Sequence, residues 1–148
     1  MTTSRREITA RSEAETEAAA ERLARQLRRG DLLLLVGPLG AGKTTFVRGL
    51  ARGLGSPAQV MSPTFQLVRL YPGREQLAHV DLYRLNSSAE LSGLGLDELL
   101  DQGVVAVEWG DRLGLGGMAP GRCGYIRLDV LSQDTRLLRI GGEQSWSW

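Results

Sequence analysis

At 148 residues, 42% hydrophobic and 24% charged, with a formal net charge of +1, the chain has the length and composition of one soluble globular domain. Nineteen Gly and five Pro exclude a long coiled coil, and no apolar run approaches the roughly 20 residues of a membrane span. A single cysteine, Cys123, excludes an internal disulfide framework and a cysteine-based zinc cluster; near-neutral charge gives no global footprint for DNA, and without an apolar h-region at the N-terminus the expected compartment is the cytoplasm.

Taken in chain order, residues 5–11 suit an edge strand. Ser12 then reads as an N-cap, with Glu15 completing a capping box. Ala20, Leu23, Ala24 and Leu27 follow at helical spacing, and Gly30 is the expected stop. Leu32 to Val36 is a continuous apolar run, as in a strand covered on both faces. A glycine-rich turn leads to a helix from about Lys43 to Gly53, and 54–64 reads as a loop. Phe65–Tyr71 and Gln76–Val80 form a predicted hairpin around Pro72-Gly73. Part of 87–102 is expected to be helical, with Leu96, Leu99 and Leu100 on one face. Val104–Val107 is a second buried-strand run, 110–122 a glycine-rich loop, and 124–131 with 135–140 a final hairpin. The expected organisation is one domain over 1–141 and a tail over 142–148, whose two Trp either pack back on the domain, the preferred reading, or mediate contacts.

The chemistry concentrates in Gly37-Pro38-Leu39-Gly40-Ala41-Gly42-Lys43-Thr44, which matches G-x-x-x-x-G-K-[ST]. Backbone N–H groups of such a loop cradle phosphate oxygens, and the following helix aims its positive end at the same anion. Lys43 supplies a compact charge, Thr44 a hydroxyl for Mg²⁺, and Thr45 follows in the first helical turn. Chance supplies roughly 0.002 such matches in a chain of this composition. The basic residues sharpen the point. Seventeen are Arg and Lys43 is the only Lys, so the single lysine stands where a planar guanidinium would not serve.

A nucleotide loop needs an acid at the end of a neighbouring strand. Leu77-Ala78-His79-Val80-Asp81 and Val104-Val105-Ala106-Val107-Glu108 each end in one. One of Asp81 and Glu108 can serve the metal while the other orients the attacking water. Ser62-Pro63-Thr64 lies where a switch loop would reach the Mg²⁺ or the γ-phosphate. His79 is the only histidine, and a structural or partner-facing role is preferred to proton transfer. Trp109 is core or a wall of the site.

These pieces in this order resemble the TsaE (YjeE) family of bacterial P-loop ATPases. The resemblance is carried by Gly37 to Phe46, Ser62-Pro63-Thr64-Phe65, His79-Val80-Asp81-Leu82-Tyr83-Arg84-Leu85 and Val107-Glu108-Trp109, and it spans nearly the whole chain. It implies a single α/β P-loop NTPase domain whose mixed sheet, a mostly parallel core with antiparallel hairpins, is flanked by helices. It implies weak ATP hydrolysis with Mg²⁺ and action with a TsaB–TsaD pair that threonylcarbamoylates an adenosine beside the tRNA anticodon. ATP hydrolysis would reset that complex, and tRNA would be met only through it. By position, the resemblance gives Lys43, Thr44 and Thr64 to phosphate, metal and switch, Asp81 and Glu108 to metal and water, and Trp109 to the wall. It places Thr16 and Arg136 around the base. Gly110 stands where the family commonly has Pro.

Three rivals remain. A standard GTPase would need N-K-x-D, yet the only Asn, Asn86, precedes Ser87. A small-molecule kinase would use 110–122 as a lid. A nucleotide-gated adaptor would share every site residue but need no turnover.

Overall fold

Leu32, Leu33 and Leu35 have almost no exposed surface, because their strand runs through the middle of a sheet covered on both faces. A computed structural model of the chain describes residues 5–38, 40–57, 68–81, 95–108 and 122–148. In chain order the elements are β1 (Glu7–Ala10), α1 (Glu13–Ala24), β2 (Leu32–Val36), α2 (Lys43–Gly53), β3 (Val68–Tyr71), β4 (Gln76–Asp81), α3 (Leu96–Gln102), β5 (Gly103–Glu108), β6 (Cys123–Val130) and β7 (Arg136–Gly142). Among the described residues the strands form one seven-stranded sheet in the order β1-β7-β6-β2-β5-β4-β3. Strands β6, β2, β5 and β4 run parallel; β1, β7 and β3 are antiparallel to their neighbours. The molecule is a single α/β domain with the expected mixed sheet.

Helices α1 and α2 cover one face through Leu23, Phe46, Val47 and Leu50 against Leu33, Leu35 and Ile126. The other face carries a smaller cluster in which Leu96, Leu99 and Leu100 of α3 meet Leu32, Val80 and Val105. The two covering helices approach closely at Gly49: a Cβ there would lie 2.3 Å from the Glu17 carbonyl oxygen and 2.7 Å from the Ala20 Cβ. Glu17 also reaches Arg48 and Arg52, each at 3.7 Å.

At the end of the sheet away from the glycine loop, Asp31 precedes β2 with 1% exposure. Its carboxylate accepts from Arg122 Nε and Nη2, both at 2.8 Å, and from the Arg28 N–H at 2.9 Å. Its hydrogen bond to Asp31 raises the Arg122 guanidinium above its ordinary range. Arg122 also donates to the Gln26 carbonyl and lies over the Trp146 ring.

Three local expectations shift. The α1 cap forms as predicted, Ser12 Oγ accepting from the Glu15 N–H, but the Glu15 carboxylate accepts from the Arg11 N–H rather than from that of Ser12. Helix α1 ends at Ala24, short of Gly30: the Gln26 and Leu27 N–H groups bond three residues back, and tight turns carry the buried Leu27. Gly142 closes β7, and beyond it Trp146 is fully buried in the core, where its ring lies across Gly124. The tail therefore packs. Ser147 exchanges two hydrogen bonds with Gln26, and the Trp148 indole N–H is shared between the Arg6 and Leu138 carbonyls. The expectations for 58–67, 82–94 and 109–121 lie outside the described residues.

Two predictions follow from this packing. Gly49→Ala gains helix propensity yet forces a Cβ into backbone, so it loses a net ~1–2 kcal/mol, read as a Tm drop of roughly 2–8 °C. Asp31→Ala strands a half-buried guanidinium and costs about 2–3 kcal/mol in urea unfolding, with Arg122→Ala on top of it costing little more.

Candidate functional site

The parallel register sets the geometry. Leu35 is the shared partner of Ile126 on one side and Glu108 on the other, and Glu108 pairs with Asp81. The carboxyl ends of β6, β2, β5 and β4 thus form one row, where α/β sheets hold ligands. Both acids sit on the sheet face covered by α1 and α2, since each follows that face's apolar residues, Leu77 and Ala106, at even spacing.

From the end of β2 the chain turns through Gly37 to Lys43 directly into α2. Gly37 packs against β6 so tightly that a Cβ would lie 2.6 Å from the Leu128 carbonyl oxygen. Gly42 is the N-cap of α2 at φ 99°, a left-handed conformation in which glycine carries no penalty. Lacking a side chain, Gly42 makes no capping bond, and the first turn of α2 holds no acidic residue. Helix α1, by contrast, has a Ser12 cap with Glu13 and Glu15 in its first turn. The α2 terminus therefore carries neither a side-chain cap nor an acidic residue to offset its positive end.

Lys43 is 5% exposed, and its Nζ folds back over the loop to donate to the Gly37 carbonyl at 2.7 Å. Thr44 is half-buried and Thr45 buried in the same turn; Ala41 is buried and Gly40 exposed. Glu108 is 6% exposed and Asp81 half-buried. The Glu108 Oε2 is hydrogen-bonded to Nε2 of His79, which has 0% exposure, while His79 Nδ1 is buried with no hydrogen-bond partner. A carboxylate acceptor calls for the proton on Nε2, so His79 fixes the rotation of Glu108 and leaves Oε1 for other work.

The structure sets the glycine loop, Lys43, Thr44, Asp81 and Glu108 at one end of the sheet. It does not put His79 on a partner-facing surface: complete burial beside Glu108 makes its role internal. The H-x-D alternation held that signal, because it places His79 on the face of Asp81 and hence next to the strand ending in Glu108. Thr16 is 2% exposed near the start of α1 and offers little surface to a base. Arg136 sits at the start of β7 and donates to the Ala41 carbonyl at 3.0 Å and the Gly40 carbonyl at 3.3 Å. Nothing in the sequence signals that contact. Leu39, Thr64 and Trp109 lie outside the described residues.

Among the described residues no cluster of three or more His, Cys, Asp or Glu could hold a metal by itself. An oxygen set of Thr44, Asp81 and Glu108 fits Mg²⁺ nonetheless, since that ion binds through one or two carboxylates together with phosphates and water. No helix in the described residues is long and apolar enough to cross a membrane.

A family model for the threonylcarbamoyl adenosine biosynthesis protein TsaE matches residues 10–138. A Mycobacterium tuberculosis protein named tRNA threonylcarbamoyladenosine biosynthesis protein TsaE is 40% identical over 145 residues, covering 90% of this chain and 82% of its own. The Treponema pallidum protein of the same name is 42% identical over 117 residues, covering 78% and 85%. The crystal structure of Bacillus subtilis YdiB superposes with a TM-score of 0.74 and 32% identity, over 97% of this chain and 89% of that one. A match over most of the chain, in sequence and in fold, makes this protein a member of the TsaE family, whose members take part in tRNA threonylcarbamoyladenosine biosynthesis.

Proposed function

We propose that the chain is a Mg²⁺-dependent ATPase that serves threonylcarbamoylation of tRNA adenosine by resetting a TsaB–TsaD-like complex, meeting tRNA only through that complex. The observation that carries the reading is the row of strand ends: Asp81 and Glu108 stand level with Leu35, two residues before the glycine loop that leads to Lys43. Adenine is preferred to guanine because the chain has no Asn-Lys pair to read guanine.

In this reading the N–H groups of Gly37, Leu39, Gly40, Gly42, Lys43, Thr44 and Thr45 supply the phosphate cradle, Ala41 holds the turn through its N–H bond to the Pro38 carbonyl, and Lys43 leaves the Gly37 carbonyl for the β- and γ-phosphates. Thr44 and Asp81 would hold Mg²⁺, with Glu108 within reach. Bound there, the ion neutralises charge on the transferring phosphoryl group. Glu108, rotationally fixed by His79, orients the attacking water through Oε1, a task that needs direction more than basicity. Thr64 and Trp109 complete the site as switch and wall. The resemblance sets Thr16 and Arg136 around the base, but Thr16 is almost fully buried and the Arg136 guanidinium is committed to backbone carbonyls.

Two measurements test it. Lys43→Ala should abolish tight MgATP binding in calorimetry, and Lys43→Arg should restore little, because a planar fork does not replace a point charge; wild-type affinity in both variants would remove the nucleotide loop from the reading. Glu108→Gln should keep MgATP affinity while slowing hydrolysis about 10²–10⁴-fold, measured with and without the TsaB–TsaD pair. If binding falls along with turnover, Glu108 is chiefly a metal ligand and Asp81 takes over the water. Hydrolysis by the wild type that does not rise with the pair favours a nucleotide-gated adaptor.

A further inference from the structure

We infer that Arg136 is a positioning residue: its guanidinium bridges the glycine loop to the β6–β7 turn and holds the loop in its anion-binding shape. The inference rests on the nucleotide-loop reading and deepens it.

The Arg136 side chain reaches five backbone carbonyls. Nη1 donates to Ser132, Gln133 and Thr135 at 3.0–3.2 Å, all in or beside the turn between β6 and β7. On the other side Nε donates to Ala41 at 3.0 Å and Nη2 to Gly40 at 3.3 Å. The five N–H donors of a guanidinium lie in one rigid plane, so a single side chain fixes the turn and the loop relative to each other.

The peptide geometry gives that bond a purpose. In a trans peptide the C=O and the following N–H point opposite ways. The Gly40–Ala41 peptide is held at both ends, its oxygen by Arg136 and its N–H by the Pro38 carbonyl at 3.1 Å. The Ala41–Gly42 peptide has its oxygen drawn to Arg136 Nε, which turns the Gly42 N–H away from Arg136. Gly40 and Gly42 both hold positive φ, where glycine has a broad choice of conformations. A loop this free needs an outside constraint to keep its carbonyls off the anion, and Arg136 supplies one. A guanidinium committed to five carbonyls is poorly placed to read a base edge.

The test is titration of MgATP and of magnesium tripolyphosphate, which has no base, into wild type, Arg136→Ala and Arg136→Lys, with ligand-free thermal melts of each. The expected result is that Arg136→Ala weakens both ligands equally, by about tenfold if the competent loop falls to a tenth of the population. Arg136→Lys should recover little of it, since a lysine cannot span turn and loop at once, and the melts should show folded proteins. Loss for MgATP alone assigns Arg136 to the base and overturns the inference. Full recovery by Arg136→Lys reduces the role to charge attraction and also overturns it. Unchanged binding in Arg136→Ala, with wild type binding both ligands, removes the inference and leaves the nucleotide reading intact. A wild type that binds neither ligand removes both. Should Arg136→Ala fail to fold, the Lys variant decides: wild-type affinity for both ligands overturns the bridge, and weakening of both supports it.

Discussion

The parallel pairing of β4, β5 and β2 is the constraint on which the site depends. A register shift of one residue would turn Asp81 and Glu108 to the opposite sheet face, away from the side where α2 begins. The apolar residues enforce the register. Leu77, Val104 and Leu33 must face α1 and α2 while Ala78, Val105 and Leu32 face α3, and both faces are dry. The hydrophobic core thereby sets the height of two carboxylates that contribute nothing to it.

That arrangement has a cost at Glu108. Its strand is buried along its whole length, so the terminal carboxylate emerges from an apolar layer with 6% exposure. A buried carboxylate needs a donor. His79, one strand away on the same face, meets the need from inside the sheet. The same logic runs through the glycine loop, where Arg136 restrains what Gly40 and Gly42 leave loose, and Gly37 buys closeness to β6 by having no side chain.

Much of this was legible in the sequence, and the physics says which parts. Strand β2 and helix α2 emerge with the predicted ends, because an unbroken apolar run and a G-x-x-x-x-G-K-T turn are punctuated by residue types with few conformational alternatives. Family membership was legible from spaced motifs that no single element needs for folding. The end of α1 was not, because Leu27 continues the helical period while sitting in turns. The burial of His79 was half legible: alternation puts it on the Asp81 face, but only the parallel neighbour reveals the carboxylate it meets. Arg136 was illegible, since its partners are backbone carbonyls 95 and 96 residues away and any residue type could have supplied them. The tail lacks periodicity for the reason that makes it pack: one indole fills the space over Gly124 and another caps the sheet edge, with no helix or strand to impose a repeat.

The second of those indoles has an optical consequence. Trp148 meets Phe46 edge to face at 5.9 Å, and Phe46 stands in the first turn of α2, three residues after Lys43. Its N–H is shared between the carbonyls of Arg6, just before β1, and Leu138 in β7. An indole's emission wavelength and lifetime follow the dipoles and rings within a few ångströms of it. A shift of α2 against the sheet therefore changes the fluorescence of Trp148, while Trp146 is sealed in the core away from solvent. The protein carries a native dye against the helix that its glycine loop feeds.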